Sequence, residues 1–399
     1  MRFQSLFRTW GDAAELTEIA FWSVLGVLAY TYLGYPALMW ALARLFPRGV
    51  HHAVYEPRVV VIIVAYNEAD RIGPKLETCL ALEYPREKLH ILVASDGSDD
   101  GTGQVVSAYA NRGVTLLEFP RRRGKAACLN DAIASCDEEI ILLTDARQRL
   151  DARAVRYIAE NLADPDVGAV SGELIFETQG ITGFGEGLDA YWRYEKFVRQ
   201  HESLFHSVVG VSGALYALRR ECFREIAPET ILDDVVIPMN VVMAGRRVVF
   251  ESRARAYDRP SGDFQGERLR KIRTIAGNYQ LIAAHPSLFV PFRNPIFIQL
   301  VSHKALRLIS PLCMALLLAT NAVLAREAFL YQCLLVAQLS AYALPAIGAV
   351  WPIAGRWKIV NLATAFLVLN WFAVLGLLEF LRNRNAHMWQ SGQTVQRSR

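Results

Sequence analysis

Four stretches of the chain run almost without charge. The first covers residues 19–46, IAFWSVLGVLAYTYLGYPALMWALARLF, in which only Arg44 is charged. Three more occupy residues 306–325, 329–350 and 359–381. Each matches or exceeds the roughly 20 residues that a helix needs to cross a bilayer. Pro311, Pro345 and Asn370 lie inside the later runs, where neighbouring helices can satisfy the backbone groups that such residues free. Asp12, Glu15 and Glu18 precede the first run where a signal peptide would be basic, and no small-residue cleavage site follows. The pattern predicts an uncleaved N-terminal anchor and about three C-terminal transmembrane helices.

Between these ends the pattern changes to alternating strand and helix. Residues 59–65, VVVIIVA, form a continuous β-branched run, as expected of a strand covered on both faces. A helix follows, with Ile72, Leu76 and Cys79 on one face. Further strands are predicted at 89–94, 114–118 and 139–143, and helices at 103–110 and 125–135. This alternation specifies an α/β fold with a mostly parallel sheet. The expected domains are an N-terminal segment with its transmembrane helix (1–49), an α/β domain (50–285), and an interfacial segment with about three transmembrane helices and a basic tail (286–399).

Composition agrees with a membrane protein. Of the 399 residues 53% are hydrophobic, and the mean hydropathy is +0.19, with the excess collected at the two ends. A net charge of +4 gives no case for a nucleic-acid partner. Six cysteines at positions 79, 128, 136, 222, 313 and 333 form no CxxC pair, so neither a zinc site nor a disulfide framework is expected. Arg44, Arg48, His51 and His52 follow the first apolar run and place the α/β block in the cytoplasm by the positive-inside tendency. Three later spans would then put Arg382, Arg384, Arg397 and Arg399 outside, unless residues 287–300 add a re-entrant or interfacial piece. His303, Lys304 and Arg307 read as interfacial anchors at the entry to a span.

Ligands of open α/β sheets gather at the carboxyl ends of the strands. There the chain places Asn67 and Glu68, the stretch ASDGSDDGT at 94–102, and Asp145. Arg121, Arg122, Arg123, Gly124 and Lys125 follow another strand and open a helix. Basic groups at a helix start suit phosphate. Carboxylates beside them suit a ribose hydroxyl, a base N–H or a divalent cation. Each cluster alone would read as a solvated turn or loop, but their shared position describes a nucleotide-diphosphate site. No GxGxxG or GxxxxGK[ST] stands at these strand ends, which argues against a dinucleotide or ATPase site.

The series VVVIIVAYNEADRI, ASDGSDDGT, RRRGKAACLNDAI, LLTDARQ, GVSGALYALRRE, LDDVVIPMNVVMAGRRVVFE and ERLRKIRTIAGNYQL resembles, in order and spacing, the signatures of the family 2 glycosyltransferases across most of residues 57–285. The flanking apolar runs resemble the polysaccharide-synthase branch, which is integral to the membrane. The resemblance implies a GT-A fold and an inverting transfer from a nucleotide-diphosphate sugar, with a UDP-sugar the first expectation. It assigns Ala65, Tyr66, Asn67 and Glu68 to the first nucleotide contact. Asp96, with Gly97 beside it, matches the carboxylate that holds uracil or ribose. Lys125, with Arg123 in the same loop, matches the diphosphate contact, and Asp145 the first carboxylate of the D-x-D metal motif. Gly213 and Ala214 fall in a strand forming the donor–acceptor floor. Asp233 and Asp234 match the acidic pair whose aspartate is the base, which makes Asp234 the catalytic candidate.

Such a base must reach the acceptor hydroxyl, and the leaving diphosphate needs positive charge. Placement at a helix start would by itself favour Asp233 and Asp234. Two departures from the family pattern stand out. Arg147 replaces the second carboxylate of D-x-D, so either it contacts phosphate directly or Mg2+ or Mn2+ is held by Asp145 with few protein ligands. At 270–274 the Q-x-x-R-W of processive synthases is reduced to Arg270 and Arg273, assigned to acceptor or diphosphate, without the glutamine or tryptophan. The expected acceptor is a glycan of the cell envelope, at a bacterial inner membrane. A polyprenyl-phosphate lipid acceptor and a non-catalytic nucleotide-binding scaffold are the alternatives.

Overall fold

The computed structural model describes residues 2–177, 184–259, 264–351, 357–383 and 388. Arg384, Arg397 and Arg399 of the basic tail lie outside the described residues. The chain divides into two compact units.

The helical unit comprises Met1–Ala41, Gly180–Val198 and Val301–Leu375. Among the described residues, four helical stretches are long and apolar enough to cross a membrane: Ala14–Leu45, Phe297–Leu324, Phe329–Gly348 and Lys358–Arg382. These are the four runs of the sequence. The first contains a π turn at Tyr30–Gly34, and the second another at Val301–Ala305. The two turns meet through Tyr30 Oη and Ser302 Oγ, 2.9 Å apart. Leu312, Leu316, Val323, Phe329 and Leu330 are exposed, as lipid-facing side chains would be. His303 is not an exposed side chain, as an interfacial anchor would be. It is buried, and its Nε2 lies 3.0 Å from Oε2 of Glu195 on the helix Phe184–Phe205, whose other carboxylate oxygen holds Arg307. A buried carboxylate held by an arginine and a histidine fixes the pairing of these helices, because leaving a buried charge unpaired in an apolar setting is costly. Residues 297–300 form the first helical turn of the second span.

The α/β unit comprises Leu42–Gln179, Arg199–Leu300 and Gly376–Arg399. Its strands are β1 Val59–Ala65, β2 Leu89–Asp96, β3 Val114–Phe119, β4 Ile140–Asp145, β5 Arg149–Leu150, β6 Val167–Phe176, β7 Tyr216–Arg219 and β8 Arg247–Asp258. They form one sheet in the order β3-β2-β1-β4-β7-β6-β8-β5. β1 to β4 are parallel, with Val59 beside Leu89 on one side and Ile140 on the other. β7 runs antiparallel to both β4 and β6, and β5 is antiparallel to β8. The sheet is therefore mixed beyond its parallel half.

Every residue of β1 is buried, in keeping with its unbroken apolar run. Val60, Ile62 and Val64 face one apolar core, and Val59, Val61 and Ile63 face the other. The strand order turns between β1 and β4. A crevice opens at such a switch point, outside the strand carboxyl ends.

Candidate active site

β1 ends in Ala65 and passes into Tyr66, Asn67 and Glu68. Asn67 takes a left-handed backbone conformation, φ 52°. Its amide donates to Asp99 Oδ1 at 2.8 Å, and its carbonyl oxygen accepts from the Asp99 N–H at 3.0 Å. This locks the β1 loop to the one after β2. Gly97, at φ 66°, lies so close to the basic loop that a Cβ would stand 2.5 Å from the backbone nitrogen of Arg122. Only glycine permits that approach.

Asp96 ends β2 facing the basic loop. It is fully buried, and its two oxygens accept the N–H groups of Arg123 at 2.6 Å and Gly124 at 2.9 Å. The carboxylate holds the basic loop instead of facing an open crevice. Within that loop the side chains diverge. Arg123 turns to Asp131 and stacks on Phe119, with its guanidinium 4.1 Å from the ring. Arg122, named in the sequence only as part of the basic run, lies 3.9 Å over the ring of Tyr66. A planar cation on an aromatic face suits this site.

Lys125 is the first residue of the helix Lys125–Ala134. Its Nζ lies 3.0 Å from Asp145 Oδ1 at the end of β4 and 3.1 Å from Asp233 Oδ2 at the start of the helix Asp233–Met243. Burial alone would lower the lysine's proton affinity, but Asp145, Asp233 and Asp234 together outweigh it and raise its pKa. Lys125 therefore stays charged at any working pH. Asp233 is buried against the lysine, whereas Asp234 is half-buried.

Gly213 and Ala214 lie in the turn before β7, not in a strand. A Cβ on Gly213 would stand 3.6 Å from Asp234 Oδ2 and 3.9 Å from Asp145 Oδ2. Arg273, on the helix Phe264–Ala284, is strongly desolvated, which lowers its pKa. The nearby Asp233, Asp145 and Asp234 counter that shift, and Arg122 adds to it. Arg270, one turn earlier, is exposed.

Arg147 is held by Asp258 at the end of β8, and the same carboxylate oxygen accepts from Gln148 at 3.0 Å. Glu68, 3.0 Å from Arg71, has its pKa raised by burial against the opposing pull of Arg71 and Arg147. Beneath the site, buried Lys75 donates to Thr144 Oγ1 at 2.7 Å, and that hydroxyl donates to the Ala214 carbonyl at 2.6 Å. The sequence carried a signal for Lys75. It falls on the same helical face as Ile72, Leu76 and Cys79. Asp258 carried none, since its approach depends on β8 joining the sheet beside β5.

The structure thus brings Glu68, Lys125, Asp145, Arg147, Asp233, Asp234 and Arg273 to one end of the sheet, and turns Asp96 and Arg123 to structural tasks. Asp145 shares this end of the sheet with two further carboxylates, Asp233 and Asp234. The side chain of Asp145 is 43% exposed. An accessible hard-oxygen ligand in an acidic surrounding fits Mg2+ or Mn2+, ions that bind through few protein carboxylates when substrate phosphates complete the shell.

The profile described as glycosyl transferase family 2 matches residues 60–227. The chain carries a family 2 glycosyltransferase domain. Poly-beta-1,6-N-acetyl-D-glucosamine synthase of Staphylococcus aureus (strain MSSA476) is 24% identical over 230 residues, 56% of this chain and 55% of the relative. The synthase of the same name from Staphylococcus epidermidis is 22% identical over 227 residues, 55% of this chain and 54% of that one. The chain matches these curated relatives over about half their length. Among solved structures, the mannosyltransferase PcManGT from Pyrobaculum calidifontis, in complex with GDP-Man and Mn2+, aligns with a TM-score of 0.70 at 24% identity, covering 91% of this chain and 99% of that chain. The likeness establishes a GT-A-type fold for the family 2 domain.

Proposed function

We propose that this protein is an inverting, membrane-integral glycosyltransferase that moves a sugar from a nucleotide-diphosphate donor to a glycan acceptor in cell-envelope polysaccharide synthesis. The observation that carries this reading is the cluster in which Lys125 binds both Asp145 and Asp233 while Asp234 stands beside the Gly213 turn. The family 2 domain and the synthase relatives support it.

In this reading the nucleotide lies along the β1 and β2 loops, with Tyr66, Arg122 and Glu68 beside it, and its diphosphate faces Lys125 and Arg273. Asp234 takes the proton of the acceptor hydroxyl. The acceptor oxygen bonds to the anomeric carbon as the bond to the diphosphate breaks on the opposite face, which inverts the configuration. Lys125 and Arg273 stabilise the charge that builds on the leaving diphosphate. Asp145 would hold Mg2+ or Mn2+, which would neutralise phosphate charge, in line with the Mn2+ bound by the mannosyltransferase neighbour. The α/β unit would face the cytoplasm of a bacterial inner membrane. That neighbour holds GDP-Man, so GDP-sugars stand beside UDP-sugars as donors to test. A lipid-phosphate acceptor is the second reading, favoured by the absence of a tryptophan after Arg273, where processive synthases carry one.

The test is a panel of UDP- and GDP-sugars given to detergent-solubilised protein with membrane extract, with and without Mg2+ or Mn2+. Metal-dependent release of one nucleoside diphosphate, with labelled sugar in a water-soluble product, is expected. Label extracting into organic solvent would move the assignment to a lipid acceptor, and nucleotide binding without release would leave a scaffold.

A further inference from the structure

A second cluster lies at the other end of the same sheet. His90 is the second residue of β2, and Cys136 and Glu138 sit in the loop between the helix Lys125–Ala134 and β4. One ligand atom from each of the three lies within 4.8 Å of the others. His90 Nδ1 is 3.0 Å from Glu138 Oε1, and His90 Nε2 is 2.9 Å from the hydroxyl of Thr115 on β3. The buried Cys136 thiol donates to the Ala132 carbonyl at 3.1 Å. These groups stand at the amino ends of parallel strands, and the site described above stands at their carboxyl ends.

We propose that His90, Cys136 and Glu138 bind a Zn2+ ion. Thiolate, imidazole and carboxylate are the three ligand types that Zn2+ takes, and three protein ligands leave a fourth position for water. Tetrahedral bonding at ordinary Zn distances puts ligand atoms about 3.5 Å apart. The histidine–glutamate spacing is already shorter than this, so a side-chain rotation at Cys136 is the main movement required. Thr115 supplies the outer contact that orients a metal-bound imidazole. Its hydroxyl donates to Nε2 when Nδ1 carries the proton, and accepts from Nε2–H once Nδ1 binds metal. The ion would tie β2 to the loop entering β4. Sulfur and nitrogen ligands select Zn2+ over Mg2+ and Mn2+, so the ion is distinct from any cation at the diphosphate end. The chain has no CxxC spacing, and only the pairing of the strands brings this trio together.

The full-length protein, stripped with chelator in detergent, is titrated with Zn2+ against a chromophoric chelator and separately with Co2+. One Zn2+ per chain is expected, with a thiolate-to-cobalt charge-transfer band in the near ultraviolet. Cys136→Ser should abolish the band and weaken Zn2+ binding at least 100-fold, His90→Ala should weaken it similarly, and Thr115→Val about tenfold. Millimolar Mg2+ should leave the Zn2+ in place. Circular dichroism of the metal-free variants separates lost ligation from lost folding. The proposal is overturned if folded Cys136→Ser retains wild-type affinity or the band, if the wild type binds no more tightly than the His90→Ala/Cys136→Ser double variant, or if Mg2+ displaces the ion.

Discussion

The two halves of the sheet fold by different logics. β1 to β4 are parallel; β1 and β4 are buried and apolar almost to their last residues, while β2 and the edge strand β3 also carry His90, Thr115 and Glu118. β6, β7 and β8 pair in mixed directions, with register shifts between Val167 and Ala169 and between Ser171 and Glu173. β8 carries Arg247, Glu251 and Asp258 at buried positions and Arg253 and Arg255 at exposed ones. The parallel half supplies the first-arriving polar groups, Asn67, Asp96 and Asp145. The mixed half delivers Gly213, Asp233 and Asp234 from its loops and helices and Asp258 from the end of β8, and Arg273 arrives from the helix after it. In the proposed function the first half makes the nucleotide crevice, and the second adds the base.

The comparison breaks most sharply at Lys125, which joins the halves. Lys125→Met leaves Asp145 and buried Asp233 facing each other. The expected loss is about 3–5 kcal/mol of stability, with transfer reduced by at least about 1,000-fold. Thermal melting and nucleotide release measure both, and an unchanged melting point would show the pairs to be incidental. In the parallel half, Gly97→Ala drives a methyl into the Arg122 backbone. Donor affinity should fall at least about tenfold while the melting point drops by only a few degrees, checked by UDP and GDP titration. Beneath the junction, Thr144→Val removes the hydrogen bond to Ala214 at a cost of about 1–2 kcal/mol. This should lower kcat about tenfold with little change in donor KM, because it loosens the Gly213 turn and spares the nucleotide loops.

The smallest effect lies far from the site. Burial, with Arg48 and Arg247 nearby, lowers the pKa of His206 to about 4. The unfolded chain takes up this proton near pH 6.5. Stability from this group is therefore present above that pH and falls as the pH drops from about 6.5 to 4. His206 is half exposed, so the loss is well below the roughly 3 kcal/mol of a dry site. His206→Gln should flatten that part of a melting-point curve against pH.

The same division explains what could be read from the chain. The strands of the parallel half and the four apolar helices follow local periodicity, and residues at their ends were placed by strand direction alone. Asp145 and Lys125 were legible in that way. The hold of Asp96 on the basic loop was not legible, because an aspartate ending a strand gives the same signal whatever it accepts from, and the contact depends on the backbone of residues 123–124. Arg122 and Arg123 are adjacent and chemically alike, and their division of labour depends on Tyr66 and Phe119. Arg147 and Asp258 are separated by nearly half of the domain, and the trio at His90, Cys136 and Glu138 depends on which strand lies beside which. The Gly213 turn was read as strand because β7 begins only three residues later.

The central claim is that Asp234, half-buried beside the Gly213 turn, performs chemistry while its neighbour Asp233 holds Lys125. Purified Asp234→Asn, compared with wild type for sugar transfer and for UDP and GDP affinity, tests it most directly. Transfer should fall by at least about 1,000-fold with nucleotide affinity within about threefold of wild type. Transfer that survives, or affinity that collapses together with it, would contradict the assignment.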